Sequence, residues 1–173
     1  MIFYKDGHLS IRTMEENDVN KIFNHFHEQG CPKSKAILEK YWIGQNQKEL
    51  SVFVAEYEGD TAGYAVLYPF AKTGPFADKS IPEISDFNVF SKYQKKGIGN
   101  KILDEAEKKA AEWSSQVSLG VGLHSGYGSA QRIYAKRGYL PDGSGAWYHN
   151  KQLEQYADCK NDDDLILFLY KDI

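Results

Sequence analysis

Tyr93–Leu103 reads YQKKGIGNKIL, and just ahead of it Glu83–Phe90 reads EISDFNVF. The upstream run has the apolar content of a buried strand. The downstream run sets a glutamine, two lysines and two glycines ahead of apolar residues at helical spacing. A helix N-terminus leaves its first N–H groups unpaired and carries partial positive charge. Glycines at that position let the backbone close around an anion without a side chain in the way. Gln94, Lys95, Lys96, Gly97, Ile98 and Gly99, with Asn100 and Lys101 of the first helical turn, therefore form a candidate pyrophosphate cradle. The plainer alternative is a solvated turn with ordinary surface lysines. Neither common nucleotide motif fits: no GxxxxGK[ST] run occurs, and Ile102 stands where a dinucleotide fingerprint needs its third glycine.

The pattern around this stretch is α/β. His8–Arg12 reads as a short strand, and Val19, Ile22, Phe23 and Phe26 recur at helical spacing behind an Asn17–Asp18 start signal. Ser34 is placed to cap a second helix with Ile37, Leu38, Tyr41 and Trp42 on its apolar face. SVFVAEY and TAGYAVLY form a hairpin across Glu58-Gly59-Asp60. Residues 69–80 read as a loop. After the opening motif, Ile98, Ile102, Leu103, Ala106 and Ala110 make a buried helix face, opposite Lys101, Glu105, Lys108 and Glu112. QVSLGVGL follows as a strand, then a short helix ending at Gly138, an edge begun by GYLPDG, and LILFLY as a final edge strand.

The totals narrow the classes. A chain of 173 residues, 42% hydrophobic and 26% charged, is expected to be one globular domain spanning residues 1–173. A net charge of -3 argues against broad nucleic-acid binding, which needs a basic face. No run approaches the length of a membrane helix, and the start MIFYKDGHLSIR lacks a signal-peptide layout. Cys31 and Cys159 form no CxxC pair and fit reduced thiols in a cytoplasmic protein. No metal site is expected: His25 and His27, two apart on a helix, share no face and read as surface residues.

Gln94-Lys95-Lys96-Gly97-Ile98-Gly99 resembles the Q/R-x-x-G-x-G/A motif of the GCN5-related N-acetyltransferase (GNAT) superfamily. Glu83-Ile84, Phe87 and Val89 resemble that family's fourth strand, while Ser129-Ala130, Ile133-Tyr134 and Arg137-Gly138-Tyr139 are similar to its later helical segment. The resemblance runs through the chain in element order, with one departure: His124-Ser125-Gly126-Tyr127-Gly128-Ser129 stands where the family often has an asparagine. It implies a mixed, mostly antiparallel, twisted sheet flanked by helices, and acetyl-CoA as cosubstrate with no metal. It also implies an N-acetyltransferase acting on a primary amine of a small molecule. A peptide or protein amine is the alternative acceptor, and a non-catalytic acyl-CoA sensor the alternative class.

Acetyl transfer from a thioester to an amine needs the amine placed, its proton removed, and the departing thiolate protonated. The resemblance puts Phe87, Asn88 and Val89 along the cofactor arm, with the Val89 N–H on the acetyl carbonyl. It puts Tyr134 as general acid and Glu83 as general base, and the usual side-chain contact to the pantetheine is either made by Ser129 or lost. Asp86 or water competes with Glu83, and strand alternation sets the two carboxylates on opposite faces. Tyr134 also fits a buried helix face. A cavity role for His124 and an acceptor-pocket role for Trp147, Tyr148 and Tyr156 stay open, as does a homodimer.

Overall fold

Residues 1–173 are described in the computed structural model, and they fall into two compact units. Met1–Tyr68 and Ser85–Lys109 make up the first; Pro69–Ile84 and Ala110–Ile173 make up the second.

In the first unit β1 (Ile2–Asp6), β2 (Leu9–Thr13), β3 (Ser51–Tyr57) and β4 (Asp60–Tyr68) pair antiparallel in chain order, with β5 (Glu83–Val89) beside β4. Val52–Ala55 and Ala62–Leu67 are buried without a break. That is the signature of strands covered on both faces rather than of an amphipathic edge. The hairpin turn is Glu58–Gly59, both left-handed (φ 53 and 84), and closes Tyr57 against Asp60. Left-handed values at both central residues define the type I′ turn, whose twist matches the strands.

Three helices complete this unit. α1 (Glu16–Glu28) lies against β4, and α2 (Lys35–Asn46) against β3. α1 begins earlier than the Asn17–Asp18 signal suggests. Glu15 is its N-cap and Asp18 occupies N3, closing a capping box through its bond from the Glu15 N–H at 2.7 Å. Asp18 is also buried against Arg12, with contacts at 2.6 and 3.0 Å. Ser34 holds the N-cap position of α2 without a side-chain bond, and of the expected face Leu38 is fully buried while Ile37 is 40% exposed. α3 (Ile98–Ala110) follows its pattern closely, with Ile98, Ile102, Leu103, Ala106 and Ala110 all at most 1% exposed. Each buried isoleucine or leucine contributes about 1.5–3 kcal/mol. Glu105 departs from the expected polar face: it is buried and holds the Lys108 ammonium at 2.7 Å.

The second unit orders its strands β5, β6 (Gln116–Gly122), β9 (Leu165–Asp172), β7 (Leu140–Tyr148) and β8 (Lys151–Gln152), with α4 (Gly128–Lys136) after β6. β5 meets β6 in parallel through Glu83↔Ser118 and Ile84↔Leu119, while β6–β9, β9–β7 and β7–β8 are antiparallel. The final strand is therefore interior, not an edge. Its run of apolar residues reflects that, with Phe168 packed against Ala71 and Phe76. Trp147 and Tyr148 belong to β7 and are partly buried, whereas Tyr156 is 92% exposed. The strand pairing makes the fold a mixed, mostly antiparallel α/β sheet with helices. No helix is long and apolar enough to cross a membrane.

Candidate active site

The cradle stretch bridges the end of β5 and the start of α3. Two of its residues, Lys95 (φ 62) and Gly97 (φ 80), are left-handed. Successive turns of this kind point backbone N–H groups into one concavity, a common anion seat. The first helical bond runs from the Lys101 N–H to the Gly97 carbonyl at 3.2 Å, so the N–H groups of Ile98 and Gly99 precede the ladder. A Cβ built on Gly97 meets no atom within 4 Å, which leaves the front of the loop open. These features fit a pyrophosphate. The side chains divide differently from the expectation. Gln94 turns back and donates to the Val89 carbonyl at 3.0 Å, tying the loop to β5. Lys96 lies over the Tyr57 ring (4.9 Å), and Lys101 over Tyr4 (4.3 Å) and beside Asp104 (3.4 Å).

The residues leading into the loop are anchored by Asp60. It accepts from the Tyr93 hydroxyl, faces His25 Nε2 at 3.4 Å and Lys92 Nζ at 3.5 Å, and burial alone would raise its carboxyl. Hydrogen bonds from Tyr93 and His25 outweigh that burial and hold it below the ordinary value. His25 is thus not a surface residue: its side chain is 14% exposed and stacks on Phe90 at 4.5 Å. His27 is exposed as expected, and no cluster of three metal-ligating side chains occurs.

Asp86 is left-handed (φ 48) in the middle of β5. Such a conformation in a non-glycine residue stores strain and is held only by its surroundings. Here the surroundings are three donors: Lys33 Nζ (2.6 Å) and Asn88 Nδ2 (3.0 Å) to Oδ1, and the Tyr64 hydroxyl (2.8 Å) to Oδ2. Alternation along β5 is broken at this point, so the pleat argument that put Glu83 and Asp86 on opposite faces does not apply. The Asn88 side chain is spent on Asp86, while Phe87 and Val89 are partly buried. Gly63 on β4 permits this arrangement, since a Cβ there would sit 2.5 Å from the Asn88 carbonyl oxygen.

In the second unit, Glu83 is partly buried, and desolvation pushes its carboxyl up to about 7. Tyr134, 5% exposed on α4, rests its ring on Tyr139 at 5.6 Å, and burial raises its hydroxyl above the ordinary range. Ser129 is exposed in the first turn of α4. His124 braces the turn before that helix. Its Nδ1 accepts from the Gly126 N–H at 3.1 Å, so Nε2–H is the donor to Asp163 at 2.9 Å, where the Tyr127 hydroxyl also donates at 3.0 Å. Both ring nitrogens of His124 are thus engaged in bracing this turn.

The chain matches the acetyltransferase (GNAT) family over residues 16–139. It belongs to that family. An uncharacterized N-acetyltransferase from the pepI 3' region of Lactobacillus delbrueckii subsp. lactis is 31% identical over 87 residues, 50% of this chain and 49% of that protein. The aligned stretch thus spans about half the length of this curated relative. Solved structures share the fold at lower identity. An N-acetyltransferase from Staphylococcus aureus Mu50 superposes with TM-score 0.71 at 17% identity, covering 96% of this chain and 99% of that one. The Salmonella typhimurium protein yncA, solved with its cofactor acetyl-CoA, gives 0.69 at 16%, covering 96% and 94%. Brucella melitensis ribosomal-protein-alanine N-acetyltransferase gives 0.68 at 21%, covering 94% and 99%.

In this GNAT member, sequence reasoning missed the Asp86 surroundings and the Asp60 anchor. Lys33 and Asp86 lie 53 residues apart, and no local spacing connects them.

Proposed function

We propose that this chain transfers the acetyl group of acetyl-CoA to a primary amine of a small molecule. The observation that carries the reading is the open, left-handed turn at Lys95 and Gly97 heading α3, in a chain of the acetyltransferase (GNAT) family. Acetyl-CoA, the family's typical cosubstrate, would supply an activated acyl group as a thioester.

The protein's share is positioning and proton handling. The N–H groups of Gly97, Ile98 and Gly99 would hold the pyrophosphate, with Lys95, Lys96 and Lys101 adding charge. In the first unit the backbone of Phe87, Asn88 and Val89 would receive the arm, with the Val89 N–H placed to polarise the acyl carbonyl. A carboxyl near 7 is well matched to removing a proton at neutral pH, which supports Glu83 as the base. Asp86 serves poorly in that role because a cation and two further donors already occupy its oxygens. As the C–N bond forms and the C–S bond breaks, Glu83 would take the proton of the new ammonium nitrogen. The buried Tyr134 hydroxyl, held protonated, gives its proton to the sulfur.

The test is a melting experiment followed by turnover. CoA should raise the melting temperature by mass action, and NAD or ATP should do so far less. A panel of alkylamines, amino acids and peptides is then scored for thiol release. Release with small amines supports the proposal, release only with peptides moves the acceptor to peptide amines, and CoA binding without turnover leaves a sensor.

A further inference from the structure

Lys33 lies between α1 and α2, and its ammonium rests against an acidic and aromatic cluster of the first unit. Asp86 Oδ1 is 2.6 Å from Nζ, and the centre of the Phe26 ring is 5.2 Å away. Tyr64, fully buried, donates to the other Asp86 oxygen and meets Phe26 edge-on at 6.3 Å, while Phe90 closes on Phe26 at 5.4 Å. The Tyr41 phenol adjoins the same carboxylate and is held protonated by burial and by the Asp86 charge. A carboxylate plus ring faces is the chemistry that recognises an alkylammonium ion. The side chains of Lys33 and Asp86 are only 21% and 12% exposed.

As a structural device this arrangement is poor. Buried ion pairs return little net stability because desolvation cancels the attraction. Here the carboxylate also sits on a left-handed residue in mid-strand. Both costs fit a binding position better than a brace. The group that fills it comes from a connecting segment without regular structure, residues 31–34, rather than from a helix or strand.

We infer that Asp86, Phe26, Tyr64 and Tyr41 form an ammonium subsite for the acceptor, and that Lys33 is its built-in plug. The group held there is not the one acetylated, because a carboxylate among donors stabilises the charged form and an ammonium is no nucleophile. The acceptor class is therefore a primary amine carrying a second cationic group, such as a diamine or a basic amino-acid derivative. This deepens the acetyl-transfer reading and rests on it for the word acceptor, but the ammonium subsite itself can be tested without turnover.

The probe is n-propylammonium chloride, titrated against Lys33→Ala by calorimetry and thermal shift. Saturable binding is expected in Lys33→Ala. Binding should be measurably weaker in the wild type, where the tethered lysine competes for the same carboxylate, and lost in Lys33→Ala with Asp86→Asn. Equal binding in all three, or none in Lys33→Ala, overturns the subsite. If Lys33→Ala does not fold, the wild type is followed by lysine side-chain NMR. Displacement of the Lys33 ammonium signal by the probe supports the subsite, and an unmoved signal at saturating probe overturns it. The turnover arm compares 1,4-diaminobutane with butylamine. A preference of tenfold or more in kcat/KM for the diamine, abolished by Asp86→Asn, supports the assignment; equal values overturn it. Probe binding with no turnover on any amine would leave the subsite standing and remove acetyl transfer.

Discussion

Glu83→Gln separates a catalytic carboxyl from an incidental one through its pH dependence. The ordinary carboxyl value is 4.5, and burial moves this one to about 7. At about 1.36 kcal/mol per pKa unit the ceiling is roughly 3 kcal/mol, and partial exposure brings the expected effect to about 1–2 kcal/mol. The sign follows from proton binding. Between the two values the folded chain binds more protons than the unfolded chain, so stability falls as pH rises, and above the upper value the full penalty is present. Glutamine mimics the neutral acid. Glu83→Gln should therefore match the wild type at acid pH and melt higher above neutrality, by roughly 3–6 °C for a chain of this size. Denaturation scanned from acid to mildly alkaline pH reads this directly. Thiol release scanned over the same range should show a rising limb near 7 in the wild type and none in the variant. A melting difference independent of pH, or a wild-type limb near the ordinary carboxyl value, would refute both the buried carboxyl and its role as base.

Three other changes probe separate parts. Gly97→Val forces a β-branched side chain into a left-handed position at a cost of about 1–2 kcal/mol, and CoA affinity measured by calorimetry should fall. Since a Cβ there meets no protein atom, unchanged affinity in a folded variant would discredit the cradle. Tyr134→Phe should lower turnover by roughly 10²–10⁴-fold with CoA binding intact; turnover within a few-fold would reduce Tyr134 to packing. Arg12→Met strands the buried Asp18 carboxylate, which Arg12 holds at 2.6 Å, and should destabilise the fold by about 3–5 kcal/mol in urea titrations.

Periodicity was most readable where one helix face meets a core, as at Ile98, Ile102, Leu103, Ala106 and Ala110. The hairpin at Glu58-Gly59 was equally plain, because only certain residues tolerate two left-handed positions in a row. The last strand was harder. An apolar run such as LILFLY identifies a strand but not its neighbours, and pairing on both sides by β6 and β7 comes from distant sequence. The α1 start was misplaced because Asp18 serves the capping box from inside the helix and anchors Arg12 as well. In the candidate site, the loop at Gln94–Gly99 could be read locally, since an anion seat is built from consecutive backbone. The Asp86 surroundings could not, since Lys33, Tyr64 and Asp86 converge only through folding, and nothing in DFN announces a left-handed residue.

The most direct measurement of the central claim is product analysis by mass spectrometry after incubation with acetyl-CoA and small primary amines. The account predicts an N-acetylated amine formed in equal amount with free CoA thiol, both formed roughly 10²–10⁴-fold more slowly by a folded, CoA-binding Tyr134→Phe protein. Tight CoA binding with no acetylated small amine anywhere in the panel would contradict it.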